Sequence, residues 1–289
     1  MLHQFVFIIG ICFCLWILYR LFNFIYPYIK PSGLKKYLQP GTYALITGST
    51  DGIGKAIALE LSHRGFNIIL HGRNVNKLKL VEDEIKAINA NCRIISLLQD
   101  GSKNSQLNIS SIKNLPISVL INNVGVGPID ELINFTNEEI EETIRLNTIF
   151  PSKLTRDLLP QLSEQSLILN VSSYAGLFPP PYLAVYAGTK AYNNAFSVSL
   201  AREIDDIEII SLITGSVNTG TNRKPVSFMR PDATTYAKSV LKIVGCGRKS
   251  IMPYWPHAIQ TFVISLLPER LIDKATKNAI RKELESNSH

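Results

Sequence analysis

The most constraining stretch runs from Tyr43 to Leu61 and reads YALITGSTDGIGKAIALEL. Its first residues, Tyr43 to Thr47, are apolar or β-branched and suit a buried strand. Gly48-Ser49-Thr50-Asp51-Gly52-Ile53-Gly54 interrupts the run, and apolar residues recur at Ile53, Ile57 and Leu61 with helical spacing. The order is strand, glycine turn, helix. Glycines let a backbone turn tightly and approach a phosphate, which meets free N–H groups at the positive end of the helix. In this context the turn points to a dinucleotide pyrophosphate; alone, it is equally a plain connection.

Short apolar runs at Asn67–His71, Arg93–Leu98, Val119–Ile121, Leu167–Val171 and Ile207–Ile213 alternate with helical patterns, one of which sets Leu78, Val81, Ile85 and Ile88 on one face. Such alternation implies an α/β fold, a doubly wound parallel sheet of Rossmann type with ligands at the strand C-termini. At 289 residues the chain has room for one such domain, expected over residues 43–255, plus appendages. The end of the second strand is where an acidic side chain would bond the 2′-OH of NAD. Arg73 stands there instead and favours the 2′-phosphate of NADP(H), with a solvated turn arginine as the rival reading.

Phe5 to Tyr26 is almost wholly apolar. A helix of that length spans roughly 33 Å, enough to cross a hydrocarbon core of about 30 Å. A cleaved signal peptide is the alternative, but no Lys or Arg precedes the run and no small-residue cleavage site follows it. Tyr19, Phe22, Phe24, Tyr26 and Tyr28 crowd the far end, with Arg20, Lys30, Lys35 and Lys36 among and after them. Residues 1–30 therefore read as a transmembrane helix with the rest of the chain facing the cytosol, and residues 31–42 as a linker.

The net charge of +7 suits contact with anionic groups: a phosphorylated cofactor, a membrane surface or a CoA-like substrate. No dense basic run with interleaved aromatics supports nucleic-acid binding. Cys12, Cys14, Cys92 and Cys246 lack metal-ligand spacing, so neither a metal site nor a disulfide framework is expected.

Tyr186 and Lys190, four residues apart, share one face of a helix. A cation within reach favours the phenolate and tunes a tyrosine for acid–base work. Ser173, upstream at a strand end, offers a hydroxyl to a carbonyl oxygen. Each of these taken singly is unremarkable, a surface pair and a turn serine.

Together the motifs carry a family resemblance. Gly48-x-x-x-Gly52-x-Gly54, Asn122-Asn123-x-Gly125, Asn147, Ser173 and Tyr186-x-x-x-Lys190 stand in the order and spacing of short-chain dehydrogenases/reductases. The chain resembles that family over roughly residues 41 to 255. TGSTDGIGK, the valine in NNVG, LNVSSYAG and Arg223-Lys224-Pro225 are similar to the membrane-bound 17β-hydroxysteroid dehydrogenase / very-long-chain 3-oxoacyl-CoA reductase group. The resemblance implies an enzyme of the endoplasmic reticulum membrane that uses NADPH on acyl-CoA or steroid ketones. It assigns proton donation to Tyr186, support of that tyrosine and of the ribose to Lys190, carbonyl orientation to Ser173, and a water linking Lys190 to solvent to Asn147. Gly48, Ser49, Asp51, Gly52, Ile53, Gly54 and Arg73 would hold the adenosine and phosphates. Asn123, Val124 and Gly125 would line the cofactor trough, and Val217 and Thr219 would meet the nicotinamide amide.

Three positions depart from the pattern: Thr214-Gly215 replaces the usual Pro-Gly, Asp100 sits late for an adenine contact, and Pro151 falls inside the helix carrying Asn147, where a kink is expected. Residues 256–289 read as an apolar helix and a polar tail, frayed from Asn278. Ile259–Leu267 is too short to span a membrane and suits a bilayer surface, the cap of an acyl tunnel or an ordinary core helix. Helices of this fold often pair subunits, so a homodimer is one expected assembly. The leading reading is a membrane-anchored, NADPH-dependent reductase of a lipid ketone. A reductase of another lipid carbonyl such as a retinoid, and a catalytically silent NADP-binding scaffold, stand as alternatives.

Overall fold

Seven strands form one parallel sheet: β1 (Tyr43–Thr47), β2 (Asn67–Gly72), β3 (Ile94–Leu98), β4 (Ile117–Asn122), β5 (Ser166–Ser173), β6 (Ile207–Thr214) and β7 (Ser250–Ile251). The structure, a computed structural model, describes residues 2–162 and 165–287. The strand order is β3-β2-β1-β4-β5-β6-β7. From β1 the chain builds outward to β2 and β3, then returns to place β4 on the other side of β1. Loops diverge at such a switch point and leave a crevice beyond the strand C-termini. β1 and β4 are buried along their whole length, as strands covered on both faces must be.

Helices α2 (Gly52–His63), α3 (Val75–Ile88) and α7 (Ala233–Ile243) cover one face of the sheet. Their Ile57, Leu61, Leu78, Val81 and Val240 pack in one core with Ala44, Ile46 and Ile121. The neighbouring strand residues Leu45 and Leu120 point the other way, into a second core. There they meet α5 (Phe150–Leu158) and α6 (Ala184–Glu203) through Phe150, Leu154 and Leu200. Ile57, Leu61 and Phe150 are wholly buried, and burial of such a side chain is worth roughly 1.5–3 kcal/mol.

α4 (Asn137–Ile144) starts on a capping box in which Thr136 and Glu139 satisfy each other's backbone N–H. The expected proline kink between α4 and α5 takes the form of one π turn, Arg145–Ile149. Pro151 has no N–H to give the Asn147 carbonyl, and the Phe150 N–H reaches back five residues to Arg145 O.

α1 (Leu2–Ile29) is long and apolar enough to cross a membrane. Its C-terminal end is fastened to the domain. Tyr28 donates to Met252 O at 3.0 Å, and Arg248 to Asn23 O at 2.9 Å. Residues 31–42, expected as a linker, are packed instead: Leu34 and Tyr37 are buried, the Tyr37 hydroxyl bonds Glu208, and Ser118 donates to Tyr37 O at 2.7 Å. Two further corrections concern helices. Ile88, expected on the buried face with Leu78, Val81 and Ile85, is the last residue of α3 and is exposed. The tail expected to fray from Asn278 belongs to α9 (Glu269–Asn287), which follows α8 (Trp255–Ser265); residues 288–289 lie outside the described residues.

Candidate active site

Positive φ angles at Gly48 (64°) and Gly52 (54°) swing the backbone out of β1 and into α2. A Cβ on Gly54 would stand 2.3 Å from Gly48 O and 2.4 Å from Asn123 Nδ2, so the first turn of α2 rests directly on the strand ends. Asp51 caps α2, its carboxylate accepting from the Gly52 N–H at 2.6 Å, while the Lys55 N–H bonds Asp51 O. The N–H groups of Ile53 and Gly54 lie between these two and have no acceptor within the helix. Ser49 is buried and ties the turn to β2, bonding His71 N and O.

Asn123 pins the end of β4 to the same turn by donating to Thr47 O at 3.0 Å and Gly48 O at 3.2 Å. The Val124 N–H bonds Thr47 Oγ1 at 3.1 Å. Gly125 comes next and is closely packed: a Cβ there would lie 3.2 Å from both Asn147 Oδ1 and Lys190 Nζ. Asn147 is fully buried and clamps the loop, accepting from Val126 N at 2.9 Å and donating to Val126 O at 2.8 Å and Thr189 Oγ1 at 3.0 Å.

Ser173 ends β5, and its hydroxyl accepts from the Ala175 N–H. Tyr186 and Lys190 lie a turn apart on α6, the ammonium 5.7 Å from the centre of the phenol ring. Lys190 Nζ donates to Val171 O at 2.8 Å. Burial pushes its pKa down to about 8. Burial likewise pushes the Tyr186 phenol up, and a hydrogen bond from Ser173 works against it. Burial outweighs that hydrogen bond, so the net shift runs opposite to the acidification expected from Lys190. The consequence is a phenol held neutral, which suits a proton donor.

Arg73 stands exposed at the end of β2, 3.3 Å from Asp100. Asp100 also accepts from Ser102 N and Oγ, which ties it to its own loop. Thr219 lies over the glycine turn: a Cβ on Gly52 would be 3.1 Å from Thr219 Cβ. Val217 is buried nearby, and Asn222 holds this loop through Val217 O and Thr219.

Residues 42–229 match the short chain dehydrogenase family. The chain belongs to the short-chain dehydrogenase family. Among curated relatives of this short-chain dehydrogenase is the very-long-chain 3-oxoacyl-CoA reductase of Candida glabrata, 33% identical over 271 residues, covering 83% of this chain and 77% of that one. The protein of the same name from Vanderwaltozyma polyspora is 34% identical, covering 82% and 75%. Two solved structures share the fold. An alcohol dehydrogenase from the archaeon Thermococcus sibiricus complexed with 5-hydroxy-NADP has a TM-score of 0.63 and 23% identity, covering 73% of this chain and 95% of that one. A 3-oxoacyl (acyl-carrier-protein) reductase from Agrobacterium tumefaciens with NADP bound has a TM-score of 0.65 and 21% identity, covering 75% and 94%.

A dinucleotide fits what this short-chain dehydrogenase offers: a backbone cradle that any Cβ would fill at Gly54, two N–H groups without helical acceptors, and a trough floored by Gly125. Two contributors were missed at the level of sequence. A Cβ on Gly127 would stand 2.7 Å from the Tyr186 ring, so this glycine makes the seat of the tyrosine. His257 of α8 is buried under Gly215, where a Cβ would come 2.7 Å from its Nδ1, and its Nε2 bonds Met229 O at 3.1 Å. The histidine ring therefore supports the turn that lacks the usual proline. A glycine followed by a distant histidine carries no local signal of either contact.

Proposed function

We propose that this protein is a membrane-anchored, NADPH-dependent reductase of a long-chain lipid ketone, with a 3-oxoacyl-CoA as substrate. The observation that carries the reading is the convergence of Ser173, Tyr186 and Lys190 at the strand ends, in a chain 33–34% identical over most of its length to very-long-chain 3-oxoacyl-CoA reductases. NADPH, when bound, supplies the hydride for the carbonyl carbon. Tyr186 gives its phenolic proton to the carbonyl oxygen, and Ser173 hydrogen-bonds that oxygen as charge builds on it. Lys190 keeps a positive charge beside the phenolate that remains. Asn147 holds the loop of Gly125 and Val126 against this group, and Arg73 receives the 2′-phosphate that distinguishes NADPH from NADH.

The anchor is α1, and Lys30, Lys35 and Lys36 beyond it favour a cytosol-facing domain on the endoplasmic reticulum. Phe262, Val263 and Leu266, exposed at the end of α8, are suited to the bilayer surface. Ile144, Ile149 and Tyr192, exposed along α4–α6, are suited to pairing with a second copy.

NADPH oxidation by the purified full chain tests the reading, with 3-oxostearoyl-CoA and a 17-ketosteroid as substrates. Turnover of the acyl-CoA is expected, falling by about a hundredfold or more in Tyr186→Phe. Turnover of neither ketone would falsify the proposal, and preference for the steroid would reassign the substrate.

A further inference from the structure

α9 meets the domain along one narrow line. Ile272, Thr276 and Ile280, spaced four residues apart, are half-buried, while the residues between them are exposed. Opposite them runs the loop after β5, and between helix and loop lies a cavity of about 540 Å³. The space is a cleft open to solvent along one side, and its volume falls within the roughly 300–1,000 Å³ range of ligand sites.

The loop wall is stiff. Tyr174 and Phe178 stack at 5.0 Å, and the N–H groups of Leu177 and Phe178 both bond Tyr174 O. Pro179-Pro180-Pro181 follows, with φ fixed at each residue. Tyr182, just beyond the wall, has φ 66°, a strained left-handed conformation held where its carbonyl accepts from Asp130 N–H at 3.0 Å. The wall begins at Tyr174, next in the chain after Ser173, which brings one end of the cavity close to the active site.

Its chemistry selects the occupant. The lining is mainly aliphatic, aromatic and proline, and its charged side chains are two carboxylates, Glu269 and Asp273. A phosphate-bearing head group is repelled there, whereas an alkyl chain loses nothing by entering. We infer that the cavity between α9 and the Tyr174–Pro181 loop is the slot for the alkyl tail of the ketone substrate, and that Ile272, Thr276 and Ile280 set the preference for long chains. This rests on the reductase reading and names the part of the site that holds the tail. Ile272 and Ile280 are about 12 Å apart along the helix, so a short acyl group cannot use the full contact.

Two measurements on the full-length protein test the slot. The first compares kcat/KM for 3-oxostearoyl-CoA and acetoacetyl-CoA; the second is binding of the fluorescent fatty acid cis-parinaric acid, which needs no turnover. Thr276→Trp and Ile272→Trp fill the slot and should lower long-chain kcat/KM and probe binding tenfold or more while leaving acetoacetyl-CoA turnover in place. Ala279→Trp, on the exposed face, should change none of these. A Thr276→Trp enzyme that keeps its long-chain preference and binds the probe like wild type overturns the slot, as does equal loss on both substrates. Wild type that reduces neither substrate overturns the reductase reading alone, provided the probe still binds and Thr276→Trp still abolishes that binding.

Discussion

The Tyr186 ring lies flat against Gly127, so close that a Cβ on the glycine would sit 2.7 Å from Cδ2 and 2.9 Å from Cε2 of the ring. Gly127 has an ordinary negative φ, so alanine there meets no backbone obstacle, only the ring. Gly127→Ala is expected to push the phenol from Ser173 and lower kcat by about tenfold to a hundredfold, since a displacement of about 1 Å at a reacting group has effects of that order. Overpacking would reduce stability by roughly 1–3 kcal/mol, leaving a folded protein whose circular dichroism matches wild type. Full activity in the alanine variant would show that the tyrosine is not seated by this contact.

Lys190 carries its ammonium into a site where burial lowers its pKa to about 8, against 10.5 for a free lysine. The unfolded chain therefore holds this proton more tightly, and the burial is unfavourable at every pH below about 8. That penalty fades between pH 8 and 10.5. Lys190→Met removes it, so the stability of the variant relative to wild type should be highest at pH 7 and decline by about 3 kcal/mol towards pH 10.5. Leaving Val171 O without its donor shifts the whole difference down by roughly 1–3 kcal/mol but does not change its slope. Denaturant melts of the two proteins at pH 7, 9 and 10.5 measure it, and a difference that grows with pH would refute the assignment.

What could be read from the chain was local. The strand–glycine–helix order at Tyr43–Leu61 and the four-residue step from Tyr186 to Lys190 depend on short spacings, and both appear in the fold where those spacings put them. Contacts between distant segments left no such trace. Tyr37 looked like linker because the reason for its burial, a hydrogen bond to Glu208, lies far along the chain. Gly127 and His257 matter through what touches them. α9 was concealed for a different reason: Ile272, Thr276 and Ile280 are a thin apolar line among charged residues, and thin lines do not stand out from a polar tail.

Among the described residues Arg73 is held by an exposed ion pair with Asp100, and such pairs are worth at most about 1 kcal/mol. It can turn to a ligand phosphate at little energetic expense. Arg73→Ala is expected to raise KM for NADPH about tenfold or more, with kcat nearly constant and KM for NADH little changed. The ratio of the two KM values is the decisive number. Equal weakening of both cofactors would mean that Arg73 shapes the loop and does not read the 2′-phosphate.

His71, near the end of β2, gives the fold an acid limit. Its side chain is buried and stacks on Phe150 at 5.1 Å, joining the cofactor half of the sheet to α5. Burial drives its pKa down to about 4, with the Asp100 charge and the Gln99 backbone acting more weakly in the opposite sense. An unfolded chain takes up this proton near pH 6.5, so the native state loses stability as pH falls from 6.5 towards 4, by about 3 kcal/mol in total. His257 is depressed in the same direction, again mainly by burial, so the contribution of His71 has to be read as a difference. His71→Leu, close to it in volume, removes the titration. Its stability relative to wild type should rise steadily between pH 6.5 and 4.5 in paired thermal melts, whatever offset the lost stacking imposes at pH 7. A flat difference across that interval would mean that His71 becomes protonated within the folded protein, and that the limit is set elsewhere.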